Sequence, residues 1–196
     1  MPLKVGITGG IGSGKTTVIN VFKTLGIPIF DSDSAARKVM NEDEGLKNKI
    51  RNFFGEEAYT NGVLNRKCIA DIVFNDTYKL EKLNAMVHPV TIAMGEEWMQ
   101  QQTSAYVLKE AAIIFESGAA AGLDYIIGVF APQHIRIQRV MQRDTVTREA
   151  VLSRMSKQID EFMKMKLCDF VITNDEQQLL IPQVLEVHKK LLSLKK

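Results

Sequence analysis

The sequence has little of several features that mark whole classes of protein. Its two cysteines, Cys68 and Cys168, lie far apart without metal-ligand spacing, so neither a disulfide framework nor a zinc site is indicated. No run of about 18 apolar residues could span a bilayer. Glycine-broken sequence follows Lys4 where a signal peptide would be continuously apolar. We therefore expect no membrane contact and a cytoplasmic protein.

A large excess of either positive or negative charge is also missing. The formal net charge is +2, too small to imply a nucleic-acid partner, and the basic residues are not interleaved with stacking aromatics. The content of 45% hydrophobic and 24% charged residues is ordinary for a globular protein. A length of 196 residues suits one domain with an insertion. We predict a single domain over residues 1–196, without a signal for its oligomeric state.

A phosphate-binding loop is the strongest motif present. Residues 9–16 read Gly-Gly-Ile-Gly-Ser-Gly-Lys-Thr and match G-x-x-x-x-G-K-S/T. A short apolar strand precedes them, and Val18, Val21, Phe22 and Leu25 follow at helical spacing. A glycine-rich turn with an incidental lysine is the alternative, and the flanking strand and helix argue against it.

The loop has a specific physical role. Glycines allow backbone conformations that point successive N–H groups at an anion, and the helix adds its positive N-terminal end. Lys15 would reach the β and γ phosphates of ATP, and the Thr16 hydroxyl would be a ligand of Mg²⁺. The predicted nucleotide-binding residues of the loop are Gly12, Ser13, Gly14, Lys15, Thr16 and Thr17.

The rest of the chain alternates between strand and helix. Predicted strands cover residues 3–8, 27–30, 105–110, 125–130 and 170–173, with a small-residue helix around residues 118–121. This order predicts a three-layer α/β domain with a five-stranded parallel sheet. Residues 41–102 read as a mostly helical insertion for the second substrate, without a convincing strand. A bend or restart is expected at Pro89.

Carboxylates end two of the predicted strands. Asp33 follows the second strand and could accept the proton of an attacking hydroxyl, or could merely cap the next helix. Asp31 is the better candidate for capping. Glu110 ends the third strand and could hold Mg²⁺ through water, or act only as a charge at a helix start.

Several arginines follow the fourth strand. Arg136, Arg139 and Arg143 have helical spacing, and Arg148 comes after a short connection. A solvated basic face is the ordinary explanation. Arginines on a closing lid, over about residues 139–165, would instead stabilise the charge of phosphoryl transfer and exclude water.

Taken together, these residues resemble the dephospho-coenzyme A kinase family over nearly the whole chain. Beyond the phosphate loop, the stretches that carry the resemblance are Leu25-Gly26-Ile27-Pro28 leading to Asp31-Ser32-Asp33, Leu64-Asn65-Arg66, His88-Pro89, Ile113-Ile114-Phe115-Glu116, Gln142-Arg143-Asp144, Thr147-Arg148 and Val171-Ile172-Thr173-Asn174. The loop alone is common to many nucleotide kinases, whereas the combination is far more specific.

The resemblance implies a reaction. ATP with Mg²⁺ would phosphorylate the ribose 3′-hydroxyl of dephospho-coenzyme A, the last step of coenzyme A synthesis. Asp33 resembles the general base, Arg143 and Arg148 resemble lid residues, and Asn174 matches an asparagine near the adenine. The residues at positions near the acceptor are Arg37, Arg66 and His88.

Departures from the family pattern and rival functions remain. The family often has Asp-Ile-Pro where this chain has Glu110-Ala111-Ala112, and Asp-Ala-Asp where it has Asp31-Ser32-Asp33; Asp175 replaces a frequent glycine. A kinase for another nucleotide or small alcohol would use the same loop, base and lid. A GTPase-like binding module is less favoured, because no Asn-Lys-x-Asp sequence follows the later strands.

Overall fold

The computed structural model describes residues 1–74 and 76–194. Its strands are β1 (Leu3–Thr8), β2 (Ile29–Asp31), β3 (Tyr59–Thr60), β4 (Val63–Leu64), β5 (Tyr106–Glu110), β6 (Tyr125–Phe130) and β7 (Phe170–Thr173). Its helices are α1 (Lys15–Thr24), α2 (Ser32–Glu42), α3 (Glu44–Phe54), α4 (Arg66–Phe74), α5 (Thr77–Gln100), α6 (Gln133–Asp144), α7 (Arg148–Met155), α8 (Glu161–Lys166) and α9 (Leu180–Leu194), with a 3₁₀ turn at Glu56–Ala58.

The main sheet confirms the predicted five-stranded α/β architecture. Its order is β2-β5-β1-β6-β7, and the central strand β1 pairs in parallel with β5 and with β6. Val5 lies opposite both Leu108 and Tyr125. The apolar runs of these strands are buried, as expected where both faces of a parallel sheet are covered. The second strand ends one residue later than predicted, at Asp31.

Two compact units divide the chain. The first comprises Met1–Phe30 and the chain from Met99 onward, and it contains the main sheet. Phe22 of α1 meets the ring of Tyr106 edge-on, with centroids 6.4 Å apart, and Val184 of α9 joins the same buried cluster. This core fixes the ends of β1 and α1, between which the phosphate loop lies.

The second unit, Asp31–Trp98, has its own core. Val39, Leu46, Ile50, Leu64 and Val87 are buried together there. The expected insertion began at residue 41, whereas this unit begins ten residues earlier, because α2 buries Val39 in the same core as α3 and α5.

A short hairpin lies where no convincing strand was predicted. Strands β3 and β4 pair antiparallel, and Asn61 and Gly62 join them with φ values of 51° and 80°. An Asn-Gly pair with positive φ at both residues is typical of a two-residue hairpin turn. The expectation of a strand-free insertion was therefore wrong, and the missed signal was Asn-Gly.

Of the bend or restart predicted at Pro89, the restart does not occur. Helix α5 is continuous, because the apolar side chains of Leu83, Val87, Val90 and Met94 pack into one core on both sides of the proline. A second helix prediction was wrong. No helix forms at 118–121; the segment is a series of turns in which Gly118 has a φ of 70°. Among the residues that the structure describes, no helix combines the length and apolarity needed to cross a membrane.

Candidate active site

The phosphate loop connects β1 to α1 through left-handed backbone. Gly12 and Gly14 have φ values of 81° and 85°, and Gly14 is the residue that caps α1. Side-chain-bearing residues rarely adopt such angles, so glycine is required at both positions. The amide of Thr17 bonds to the Gly14 carbonyl at 3.0 Å and begins the helix.

The Ser13 amide bonds to the Gly10 carbonyl at 3.0 Å, and the amides on either side of it fall into two groups. Gly10 N–H donates to Glu161 Oε1 at 3.3 Å, and Ile11 N–H donates to Gln158 Oε1 at 3.0 Å. Within residues 1–74 and 76–194, by contrast, no acceptor is found for the amides of Gly12, Gly14, Lys15 and Thr16. Unpaired amides at a glycine loop and helix N-terminus are the donors that a phosphate group would use.

Two side chains hold the carbonyl of Ser13. Asn174 Nδ2 donates to it at 2.9 Å and Arg139 Nη1 at 3.4 Å, while Arg139 Nη2 also donates to the Asn174 carbonyl at 3.2 Å. A side chain at Gly14 would collide with the Asn174 amide. The structure therefore brings Asn174, predicted near the adenine, into direct contact with the phosphate loop.

Lys15 and Glu110 form an ion pair beside the loop. Lys15 Nζ lies 2.9 Å from Glu110 Oε1, and the two side chains are only 14% and 19% exposed. Glu110 is the last residue of β5, as the sequence predicted. The carboxylate proposed for Mg²⁺ thus holds the lysine proposed for the phosphates.

The arginines predicted as lid or basic-face residues after β6 have different surroundings. Arg136 is buried and pairs with Glu161, whereas Arg143 is exposed and pairs with Asp144 at 2.7 Å. The hydrogen bond with Asp144 raises the pKa of Arg143, and the same bond lowers the pKa of Asp144 to about 2. Arg148 is the exposed first residue of α7. Arg143 and Arg148 therefore lie at the surface.

In the second unit, Asp31 and Asp33 have different surroundings. Asp31 caps α2, since its Oδ1 accepts the Asp33 and Ser34 amides at 3.0 Å each. Partial burial acts to raise the pKa of Asp31, but its hydrogen bonds from Ser34 and Asp33 outweigh burial and lower it. Asp33 is exposed, and no partner of its carboxylate is found among the described residues. The predicted capping role of Asp31 is confirmed, which leaves the Asp33 carboxylate unengaged.

The residues predicted near the acceptor also belong to the second unit. Arg37 lies on α2 one turn after Asp33, and its charge lowers the pKa of Asp31. Arg66 is the exposed first residue of α4. His88 lies half-buried on α5, and burial lowers its pKa.

Sequence reasoning missed the residues that hold the loop from the side of the lid segment. Gln158 and Glu161 lie 147 and 151 residues from their partners in the loop. They also line a cavity of about 690 Å³, whose apolar wall includes Phe130, Leu152 and Phe162. No local sequence pattern predicts contacts between residues so far apart in the chain. The helical spacing of the arginines on α6 did single out Arg136, which pairs with Glu161.

The residues beside the loop fit a magnesium ion that arrives with nucleotide. In the part of the chain described, no three His, Cys, Asp or Glu side chains converge on a metal site. Mg²⁺ is usually held through one or two protein oxygens together with substrate phosphates. The Thr16 hydroxyl and the Glu110 carboxylate are oxygen donors of this kind.

Comparison with known proteins gives consistent matches. A sequence model described as dephospho-CoA kinase matches residues 3–179. The dephospho-CoA kinase of Bacteroides fragilis strain YCH46 is 34% identical over 188 residues, which cover 95% of this chain and 92% of that protein.

Solved structures agree with the sequence matches. Dephospho-CoA kinase from Campylobacter jejuni is 28% identical and superposes with a TM-score of 0.73 over 98% of both chains. The crystal structure of TT1252 from Thermus thermophilus is 32% identical, with a TM-score of 0.84 over 98% of this chain and 97% of that one.

Proposed function

The chain belongs to the dephospho-CoA kinase family, and from this premise we propose how its own residues perform the reaction. It is a kinase of the last step of coenzyme A synthesis. The γ-phosphoryl group of ATP passes to the ribose 3′-hydroxyl of dephospho-coenzyme A, and the products are coenzyme A and ADP.

The proposed ATP site is the phosphate loop with the residues around it. The observation that carries this proposal is the set of amides at Gly12, Gly14, Lys15 and Thr16, for which the described residues offer no acceptor. Gly12, Gly14 and Lys15 are partly buried, and donors there are normally paired, so the arrangement of these amides fits an anion. Ser13 and Thr17 complete the proposed contacts, and Asn174 and Arg148 are proposed to contact the nucleotide.

Asp33 is the proposed general base. Its exposed carboxylate takes the proton of the 3′-hydroxyl as that oxygen bonds to the γ phosphorus and the bond to the leaving ADP oxygen breaks. Lys15 binds the β and γ phosphates, and Arg143 stabilises the charge that spreads over the transferred group. Because Arg143 is exposed and pairs with Asp144, its role requires the part of the predicted lid (about residues 139–165) that carries Arg143 and Arg148 to close over the phosphates.

Two further roles complete the proposal. When bound with ATP, Mg²⁺ neutralises charge on the phosphates, and Thr16 and Glu110 are the residues that would hold it. The helical unit, predicted as residues 41–102, binds the acceptor through Arg37, Arg66 and His88. The proposed partners are the small molecules ATP and dephospho-coenzyme A, and the proposed location is the cytoplasm.

Acceptor-dependent release of ADP tests this function. With dephospho-coenzyme A, shikimate and nucleoside monophosphates compared at equal concentration, we expect strong stimulation by dephospho-coenzyme A alone. Mass spectrometry of the product formed from dephospho-coenzyme A should show the added mass of one phosphoryl group. Stimulation by a nucleoside monophosphate instead would reassign the acceptor, and GTP binding without any acceptor-dependent turnover would favour a binding module.

A further inference from the structure

Glu161 holds the first half of the phosphate loop from outside. Its Oε1 accepts the Gly10 N–H at 3.3 Å, and its Oε2 pairs with Arg136 Nη1 at 2.5 Å. The side chains of this ion pair are only 11% and 8% exposed. Beside it, Gln158 Oε1 accepts the Ile11 N–H at 3.0 Å. A side chain at Gly10 would collide with both members of the ion pair.

The segment that carries these two residues is anchored on its other side. Glu116 Oε1 accepts the Ile159 N–H at 3.1 Å and lies 3.3 Å from Lys164 Nζ. Lys164 is fully buried and also donates to the Ala112 carbonyl at 3.3 Å. Removing one partner from such a buried charged network is costly, so residues 158–164 are held firmly against the turn after β5.

We propose that Glu161 and Gln158 are positioning residues for the phosphate loop, an inference that rests on the proposed function. They engage the amides of Gly10 and Ile11, and this fixes the first half of the loop. The amides of Gly12, Gly14, Lys15 and Thr16 are thereby held in the arrangement that binds phosphate. Donors that are already oriented need no reordering when the ligand arrives. The two residues thus raise the affinity for ATP through their contacts with the loop backbone.

Direct nucleotide binding tests the proposal. ATP is titrated calorimetrically into the full chain, without acceptor. Glu161→Ala is expected to raise the Kd for ATP about tenfold, the size of effect typical of a lost hydrogen bond to a charged group. Glu161→Gln should raise it less, because its amide oxygen can still accept the Gly10 N–H. Glu186→Gln, which alters an exposed ion pair on α9, is the matched control and should leave the Kd unchanged.

Steady-state kinetics separate positioning from a general loss of structure. In Glu161→Ala the KM for ATP should follow the Kd, while the KM for dephospho-coenzyme A stays within about twofold, since its proposed contacts lie in the other unit. An equal rise of both KM values would contradict the proposal. An unchanged Kd for ATP would overturn it as well.

The direction of the change in the Kd for ATP distinguishes positioning of the loop from the opposite role, in which Glu161 blocks it. If the Glu161 carboxylate blocked the loop as a substitute for phosphate, its removal would lower the Kd for ATP, and the proposal would be wrong. Should Glu161→Ala fail to fold, Gln158→Met removes the acceptor of the Ile11 N–H at similar volume, and a several-fold higher Kd is expected. A wild-type protein that does not bind ATP would count against the proposed function instead.

Discussion

The carboxylates of Asp31 and Asp33 differ in their hydrogen bonding. Asp31 is occupied by the two amides at the start of α2 and by the Ser34 hydroxyl, 2.6 Å from its Oδ2. Asp33 stands at the second position of the same helix, exposed to solvent. Since Asp31 does the capping, a change at Asp33 can be made without removing the cap.

Replacement of Asp33 by asparagine should therefore separate chemistry from binding. We expect Asp33→Asn to lower kcat by a factor on the order of a hundred or more, because loss of the base acts on the chemical step. The Kd for ATP should stay within about twofold of wild type. Single-turnover kinetics and calorimetry measure the two quantities. Asp71→Asn, at an exposed position of the same unit, is the control; an undiminished kcat in Asp33→Asn would refute the role.

Among the elements, α6 and α7 present arginines that share one acid. Asp144 accepts from Arg143 at 2.7 Å and from Arg154 at 2.7 Å. Removal of Arg143 should lower kcat about a hundredfold, the typical cost of losing a donor to the transition state. Arg154→Ala breaks a matched contact with the same carboxylate and should keep kcat within about twofold. The kcat of each variant is measured at saturating substrates. An equal decrease of kcat in the Arg143 and Arg154 variants would show that only their ion pairs with Asp144 are important.

Helix α9 is attached to the sheet by a titratable contact. His188 Nδ1 and the Tyr106 hydroxyl share a hydrogen bond of 2.7 Å, and burial lowers the pKa of His188. Between that lowered value and the ordinary value of 6.5, the unfolded chain binds more protons than the folded one. Stability contributed by His188 is therefore present above pH 6.5 and decreases as the pH falls below it.

Urea unfolding at pH 7.5 and pH 5.5 measures this contribution. We expect the free energy of unfolding of the wild type to be lower at pH 5.5. His188→Gln should cost about 1 kcal/mol at pH 7.5 through the lost hydrogen bond, and should lose less on acidification than the wild type. His88, whose pKa burial also lowers, leaves a residual slope in that variant. Parallel pH profiles of the two proteins would contradict the assignment.

At the scale of the whole molecule, the two units have separate cores. Ile50 is fully buried in the second unit, and Ile19 is buried in the first. Ile50→Ala should destabilise the second unit by about 2–5 kcal/mol, seen as faster amide exchange over residues 31–98. Its Kd for ATP should remain near that of wild type. Ile19→Ala is the matched control, in which ATP binding should weaken; the reverse pattern would refute separate stabilisation.

The parts of the molecule that sequence could predict are those encoded locally. The phosphate loop, the five strands and α9 have apolar runs, glycines or helical spacing within a few residues. The restart allowed for at Pro89 is absent, because burial of apolar side chains on either side of the proline keeps the helix continuous. The contacts of Gly10 and Ile11 with Glu161 and Gln158 bridge some 150 residues, and no periodicity encodes them.

The chain order of the sheet bears on synthesis at the ribosome. Strand β1 emerges first, yet its neighbours β5 and β6 are both translated after residue 98, with Leu3 aligned to Tyr106. The helical unit of residues 31–98 is complete before either neighbour exists. Domains generally fold as units during translation. We therefore expect residues 31–98 to fold first, while β1 remains unpaired until β5 and β6 have left the exit tunnel.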